Sequence, residues 1–113
     1  MKQANISDDD VEAAAVFAAL GSEQRLAVLR LLVRAGPEGL TIGELGGRSG
    51  VTGSTLTHHM KVLTAAGLVR QVKDGRRIIC IGADYYRMRG ISDYLLKECC
   101  ADSGAAREGT HIG

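Results

Sequence analysis

The spacing of apolar residues changes once along the chain, and this change restricts the possible folds more than any other feature. Up to Gly67, apolar side chains recur every three or four positions, which predicts amphipathic helices. Between Leu68 and Ile81 they follow a period of two, interrupted at residues 73–76, where Asp74-Gly75 is a strong β-hairpin signal. Helical spacing then resumes. The sequence therefore predicts a mainly helical fold in which four helices, a β-hairpin and a fifth helix follow one another.

Capping signals place the first two helices. Ser7 is predicted to cap the first helix, because three aspartates follow it at the positive end of the helix dipole. This helix runs to about Leu20, and its predicted apolar stripe consists of Val11, Ala14, Phe17 and Ala18. The second helix ends at Gly36-Pro37. Its predicted buried face consists of Leu26, Leu29, Leu32 and Val33.

Similar signals place the remaining helices. Thr41 and Glu44 match a capping box that opens a third helix, which is predicted to close near Gly46-Gly47. Thr52 is predicted to cap a fourth helix that ends at Gly67. Asp84 caps the last helix, whose narrow seam suits packing against the same helix of a second subunit. The residues of this seam are Tyr85, Met88, Ser92, Leu95 and Cys99.

Composition limits the class of protein. A chain of 113 residues with 45% hydrophobic and 24% charged residues predicts one domain, which we place at residues 1–100. Residues 101–113 are rich in Gly, Ala and Ser and are predicted to form a flexible tail. The apolar stretches are too short to cross a membrane, and the N-terminal region is acidic rather than apolar, so a cytoplasmic protein is predicted. Three cysteines, an odd number, predict free thiols in a reducing compartment.

Positive charge is concentrated in one segment, although the net charge is only +1. Residues 48–77 contain six basic residues and one acidic residue, which predicts docking of an anionic partner. Two short helices, a tight turn and a basic hairpin form a winged helix-turn-helix, whose fourth helix enters the major groove of double-stranded DNA. The predicted DNA contacts are small polar residues at the start of that helix and basic residues on the helix and hairpin: Thr52, Ser54, Thr55, Thr57, Lys61, Arg76 and Arg77.

Two segments carry a resemblance to a known family. Residues 50–69 (GVTGSTLTHHMKVLTAAGLV) resemble the recognition helix of the ArsR/SmtB family of bacterial repressors, and residues 20–29 (LGSEQRLAVL) resemble its second-helix signature. The resemblance implies a homodimer, paired through its first and last helices, that binds a palindromic operator and releases it when an inducer binds. It also implies that His58 faces DNA and His59 packs inward. Many members have glutamine where Gly53 stands, so the contact made by that glutamine is not expected here.

The metal sites known in the family have no counterpart here. Adjacent histidines point about 100° apart on a helix, so His58 and His59 do not suit one ion. The resemblance places an arsenic site in the third helix, but residues 41–48 contain no cysteine. The positions that match the zinc site of the last helix are Ala83, Tyr85, Leu96 and Cys99, of which only Cys99 can bind a metal. No permanently bound cofactor is predicted.

The remaining candidates for sensing are Cys80, Cys99 and Cys100. Thiolates favour soft ions, and such a set suits trivalent arsenic or antimony as an inducer. Cys99 and Cys100 resemble the cysteines with which some family members sense arsenic at the end of the last helix. The helix predicted between Cys80 and Cys99 is roughly 22 Å long. Cys80 is therefore too far to join the pair within one chain. In the antiparallel dimer that the family resemblance implies, Cys80 could meet Cys99 and Cys100 of the partner subunit.

The same residues are compatible with several alternatives. The same cysteines would suit a repressor that senses oxidants or reactive sulfur. Cys80 alternates with Ile79 and Ile81, as a buried small hydrophobic residue would. The polar faces could be ordinary solvated surfaces, or the winged helix could bind protein instead of DNA. A thiol enzyme is not favoured, since the chain lacks Cys-x-x-Cys and a Gly-rich phosphate loop.

Overall fold

The order of elements agrees with the predicted fold, with one additional strand. The computed structural model describes residues 8–104. Its elements are α1 (Asp8–Leu20), α2 (Glu23–Ala35), β1 (Leu40–Thr41), α3 (Ile42–Ser49), α4 (Gly53–Ala65), β2 (Val69–Asp74), β3 (Arg77–Gly82) and α5 (Tyr85–Leu96), with a 3₁₀ turn at Gly36–Glu38. Ser7, predicted to cap α1, and the predicted tail beyond residue 104 lie outside the described residues. The architecture is mainly helical with a small antiparallel sheet, as a winged helix-turn-helix requires.

The capping box at the start of α3 forms as predicted. The Thr41 hydroxyl accepts a hydrogen bond from the Glu44 N–H at 3.1 Å, and the Thr41 N–H donates to Glu44 Oε1 at 2.8 Å. This donation is the main reason that the pKa of the Glu44 carboxyl lies below its ordinary value. The predicted end near Gly46-Gly47 is wrong, because α3 continues to Ser49. Gly46 is buried within the helix, where an added methyl group would lie at an ordinary packing distance of 3.6 Å from Leu56 of α4.

The sheet contains a strand that the sequence did not predict. β1 pairs antiparallel with β3, with Leu40 opposite Cys80, so the strand order is β1-β3-β2. A strand of two residues has no apolar period to detect, and its existence depends on pairing with β3. Gly39, just before it, has a φ of +67°, and a side chain there would overlap the Cys80 carbonyl.

The hairpin forms with a tighter turn than predicted. β2 and β3 remain paired up to Asp74 and Arg77, which leaves Gly75 and Arg76 as a two-residue turn. Gly75 has a φ of +66° at the first turn position, as expected for the type II′ turn of a hairpin. Strand pairing thus includes residues 73 and 74, which the sequence assigned to the turn.

Two of the predicted apolar faces are wrong in part. In α1 the buried residues are Val16 and Ala19, whereas the predicted Val11, Ala14 and Ala18 are exposed. Most residues of α1 are apolar on every side, so the helical period does not select one face. In α2, Leu29 and Leu32 are buried as predicted, together with Val28, while Leu26 and Val33 are exposed.

The last helix packs loosely against the rest of the chain. α5 has no fully buried residue, and only Met88 and Ile91 lie partly buried against the core. The helix ends at Leu96, so the predicted seam stops before Cys99. Residues 97–104 are all exposed, so none of their side chains is buried to hold a further helical turn. The Cys99 N–H instead donates to the Leu96 carbonyl in a tight turn at 2.8 Å. No helix within residues 8–104 is long and apolar enough to cross a membrane.

Candidate nucleic-acid interface and thiol pair

The recognition helix α4 separates buried from exposed residues cleanly. Its apolar residues Leu56, Met60 and Leu63 are buried in the core. The six residues predicted there to contact DNA are all exposed: Thr52, Ser54, Thr55, Thr57, His58 and Lys61. Four of these, at positions 54, 57, 58 and 61, follow a spacing of three or four and therefore line one helix face. The structure places the predicted contact residues where a duplex could reach them.

The start of α4 differs from the predicted cap. Thr52 occupies the N-cap position with extended backbone, but its side chain makes no capping hydrogen bond. The Thr57 hydroxyl instead donates to the Gly53 carbonyl at 3.2 Å. Gly53 has a φ of +62°, a conformation that L side chains rarely adopt. A glutamine at this position would be strained in this backbone.

A buried histidine joins α4 to the preceding helices. His59 is only 7% exposed, and its Nε2 lies 2.9 Å from Oε1 of Gln24. Its Nδ1 lies 3.5 Å from Nη1 of Arg25, whose Nε donates to the Ala19 carbonyl at 2.7 Å. The inward position that the family resemblance implied for His59 is confirmed. Gln24 and Arg25 were not predicted, because no sequence pattern separates polar residues that pair across helices from those that face water.

The turn of the wing, as we call the β2–β3 hairpin, carries exposed positive charge. Arg76 lies in the turn and Arg77 follows it, and both are exposed. The Arg77 guanidinium contacts the Asp74 carboxylate at 3.0 Å, with both side chains more than 60% exposed. Exposed ion pairs of this kind contribute little, so Arg77 stays available to a phosphate.

Arg87 connects the last helix to the end of the recognition helix. Its guanidinium donates to the carbonyls of Ala66 and Gly67 at 3.3 and 3.4 Å, beyond the last turn of α4. The positive charge complements the negative end of that helix. Gly67 has a φ of +76°, and a side chain there would lie 2.7 Å from Arg87. Gly67 was predicted to end the helix, whereas no sequence pattern indicated the contact made by Arg87.

The predicted cysteine ligands fall into two environments. Cys80 is fully buried in β3, where the Gln71 side-chain N–H points at its sulfur from 3.9 Å. Burial raises the pKa of the Cys80 thiol. This environment favours the alternative in which Cys80 is a small hydrophobic core residue.

Cys99 and Cys100 lie side by side on the surface. Their sulfur atoms are 3.2 Å apart in the turn after α5, and both residues are exposed. The hydrogen bond with Cys100 is the main cause that raises the pKa of the Cys99 thiol. The structure brings these two cysteines together and does not bring Cys80 to them. In the described part of the chain, no three His, Cys, Asp or Glu side chains form a cluster that could hold a metal ion.

Comparisons with known proteins point to one class of regulator. A family model described as a helix-turn-helix domain matches residues 20–72. The chain is 42% identical over 76 residues to the uncharacterised HTH-type transcriptional regulator YceK of Bacillus subtilis (strain 168), an alignment that covers 67% of this chain and 71% of that protein.

Solved structures share the fold over most of its length. An ArsR-like transcriptional regulator from Rhodococcus sp. RHA1 aligns with a TM-score of 0.71 and 29% identity, covering 85% of this chain and 86% of that one. A homodimeric winged helix-turn-helix DNA-binding domain from Mycobacterium bovis, of a possible ArsR-family regulator, aligns with a TM-score of 0.64 and 22% identity. That alignment covers 97% of this chain and 100% of the other.

Proposed function

Because the chain belongs to the ArsR family of winged helix-turn-helix transcriptional regulators, we propose that it is a repressor whose DNA binding is relieved by a thiophilic inducer at Cys99 and Cys100. The prediction of a DNA-binding regulator rather than a thiol enzyme is confirmed by these relatives. The single observation that carries the inducer proposal is the exposed pair of sulfur atoms 3.2 Å apart.

The repressor acts as a dimer in this proposal. α5 leaves Tyr85, Leu95 and Leu96 between 62 and 66% exposed, and α1 leaves Val11 60% exposed. Apolar side chains left exposed on two helices, as here, mark an interaction surface. The Mycobacterium bovis relative is homodimeric, which supports a dimer here. Two protomers related by a two-fold axis would present two recognition helices to a palindromic operator.

The exposed face of α4 would enter the major groove in this dimer. Its small hydroxyl side chains at positions 52–57 allow close approach to base edges, and His58 and Lys61 lie along the same helix. Arg76 and Arg77 of the wing would contact phosphates or an adjacent minor groove.

The sulfur pair suits a trivalent arsenic or antimony species. Bonds from thiolate sulfur to zinc are about 2.3 Å long, and a centre with bonds of similar length can reach both sulfurs 3.2 Å apart. A hydroxylated trivalent arsenic species exchanges each hydroxide for a thiol, forming an arsenic–sulfur bond and releasing water without a change of oxidation state. The hydroxide takes up the thiol proton, so the raised pKa of Cys99 is no obstacle.

Two features connect the pair to the DNA-binding surface. The pair follows α5 directly, and Arg87 of α5 is hydrogen-bonded to the end of α4. A shift of α5 on inducer binding would therefore move α4 and alter the distance between the two recognition helices. Operator half-sites are fixed about one helical turn apart, so a small change in that distance reduces affinity.

An oxidant-sensing or reactive-sulfur-sensing repressor is the second candidate, since the same exposed pair could form a disulfide. Sensors of this kind depend on thiolates with a low pKa. The exposed pair fits either chemistry, so a titration of the protein–DNA complex decides between the two candidates. Participation of Cys80 of the partner subunit would require the fully buried thiol to leave the core.

A titration of the protein–DNA complex tests these alternatives. A duplex selected by the purified protein from random-sequence DNA would be labelled, bound under reducing conditions, and titrated separately with arsenite, methylarsenite, zinc and hydrogen peroxide. We expect release by the arsenicals, no release with the Cys99→Ser/Cys100→Ser variant, and normal release with Cys80→Ala. Release of wild type by peroxide alone would favour the redox sensor. Failure to select any duplex would contradict the repressor assignment.

A further inference from the structure

We propose that His59 is a positioning residue of the DNA interface, whose neutral imidazole fixes α4 against α1 and α2 and whose protonation weakens DNA binding. The inference rests on DNA binding through α4 and does not depend on the identity of the inducer. Among residues 8–104, His59 is the buried polar side chain of the core, and it lies next to the DNA-facing His58.

The hydrogen-bond partners of His59 specify one form of the ring. Gln24 Oε1 can only accept, so the Nε2 atom 2.9 Å away must carry a proton and donate. Arg25 Nη1 can only donate, so the Nδ1 atom 3.5 Å away must be unprotonated and accept. Both contacts are satisfied together only by the neutral ring with its proton on Nε2.

These contacts extend through three helices. Arg25 of α2 also donates to the carbonyl of Ala19 in the last turn of α1, at 2.7 Å. His59 therefore links the middle of α4 to the start of α2 and, through Arg25, to the end of α1. Because His58 and Lys61 lie on the same rigid helix, any rotation of α4 at His59 changes where those side chains meet DNA.

A second proton on the ring would break this arrangement. The Nδ1–H of a charged imidazole would point at the Arg25 guanidinium, replacing an accepted hydrogen bond with repulsion between two cations. The charged or titratable groups that act on His59 are Arg25 from α2 and His58 from α4, and α1 presents the Ala19 carbonyl, which holds Arg25. Each of those two groups disfavours the charged ring.

The direction of the pH effect follows from these surroundings. Burial, and then Arg25, lower the pKa of His59 below its ordinary value of 6.5. His59 is therefore neutral at neutral pH, and its hydrogen bond to Arg25 is lost as the pH falls through this lowered pKa. An exposed histidine at a DNA surface behaves in the opposite way, because acid adds a positive charge that attracts phosphate.

Three variants separate these effects. His59→Gln keeps a donor and an acceptor but does not titrate, and His58→Gln is the matched control on the neighbouring exposed position. Gln24→Glu changes an exposed residue and places a carboxylate against Nε2, which raises the pKa of His59. Affinity for the selected duplex would be measured by fluorescence anisotropy from about pH 7.5 to about pH 5.5. The ring titration of His59 would be followed by NMR.

We expect wild type to lose affinity relative to His59→Gln as the pH falls, by about fivefold for one lost hydrogen bond. His58→Gln should keep this loss and move it slightly to higher pH, because His58 no longer opposes the charge on His59. Gln24→Glu should also move it to higher pH, together with the NMR midpoint of His59. If wild type and His59→Gln change in parallel, or the Gln24→Glu midpoint moves without a change in affinity, the positioning role is wrong while DNA binding stands. Absence of duplex binding by wild type at neutral pH would instead contradict the proposed function.

Discussion

Gly53 begins the recognition helix with a φ of +62° and has no neighbour within 4 Å of its missing side chain. Adding a methyl group therefore meets no steric clash with other residues but forces an unfavourable backbone conformation. We expect Gly53→Ala to destabilise the protein by about 1–2 kcal/mol. Gly47 is the matched control, because it is exposed inside α3 without a positive φ, and Gly47→Ala should stabilise by about 0.5–1 kcal/mol. Urea unfolding of both variants measures the difference, and equal shifts would contradict it.

Cys80 and Cys99 should respond differently to the same substitution. Cys80 is fully buried with one weak polar contact, so Cys80→Ser places a hydroxyl in the core at a cost of about 1–3 kcal/mol. Cys99 is exposed, so Cys99→Ser should change the unfolding free energy by less than about 0.5 kcal/mol. Thermal or urea unfolding under reducing conditions compares the two variants. A stable Cys80→Ser protein would show that the thiol is not a core residue.

The predictability of single residues depended on whether their environment is local. Exposure of Thr57 and Lys61 follows from the period of α4 alone and was predicted from it. The pairing of His59 with Gln24 joins residues 35 positions apart, which no local pattern encodes. Local patterns also could not decide the role of Cys80, which the sequence allowed to be either an inducer ligand or a buried core residue.

Elements were predictable where capping residues and period agreed. α2 ends before Gly36 and α4 before Gly67, as both glycines indicated. The sequence did not predict β1, because this strand depends on pairing with β3. It also did not predict that α5 ends at Leu96, because that end depends on the absence of buried contacts. Local signals thus specify element type, while packing decides where short or weakly packed elements end.

The wing provides a test at the level of one element. Arg76 lies in the turn, and Arg76→Gln should reduce the slope of log affinity against log salt by about 1, since one phosphate contact is lost. Asp74→Asn is the opposite change, because it releases Arg77 from its ion pair and removes a negative charge. It should strengthen binding to random DNA. Anisotropy measured over a range of salt concentrations reports both effects, and unchanged slopes would place the wing outside the interface.

At the scale of the whole molecule, the exposed apolar face of α5 predicts that assembly can be disrupted by one substitution. Leu95 is 65% exposed in the protomer, so Leu95→Asp should leave the fold intact while producing monomers that bind a palindromic duplex weakly. Leu26→Asp on α2, where the leucine is 42% exposed, is the control and should stay dimeric. Analytical ultracentrifugation and circular dichroism distinguish the outcomes. A monomeric wild type would contradict the dimer.

X-ray absorption of arsenic bound to the reduced protein tests whether Cys99 and Cys100 bind the inducer, because it reports the atoms around the arsenic. We expect a sulfur shell from Cys99 and Cys100 that is unchanged in Cys80→Ala and absent in Cys99→Ser/Cys100→Ser. A sulfur shell that persists in the double variant would show that the inducer binds elsewhere.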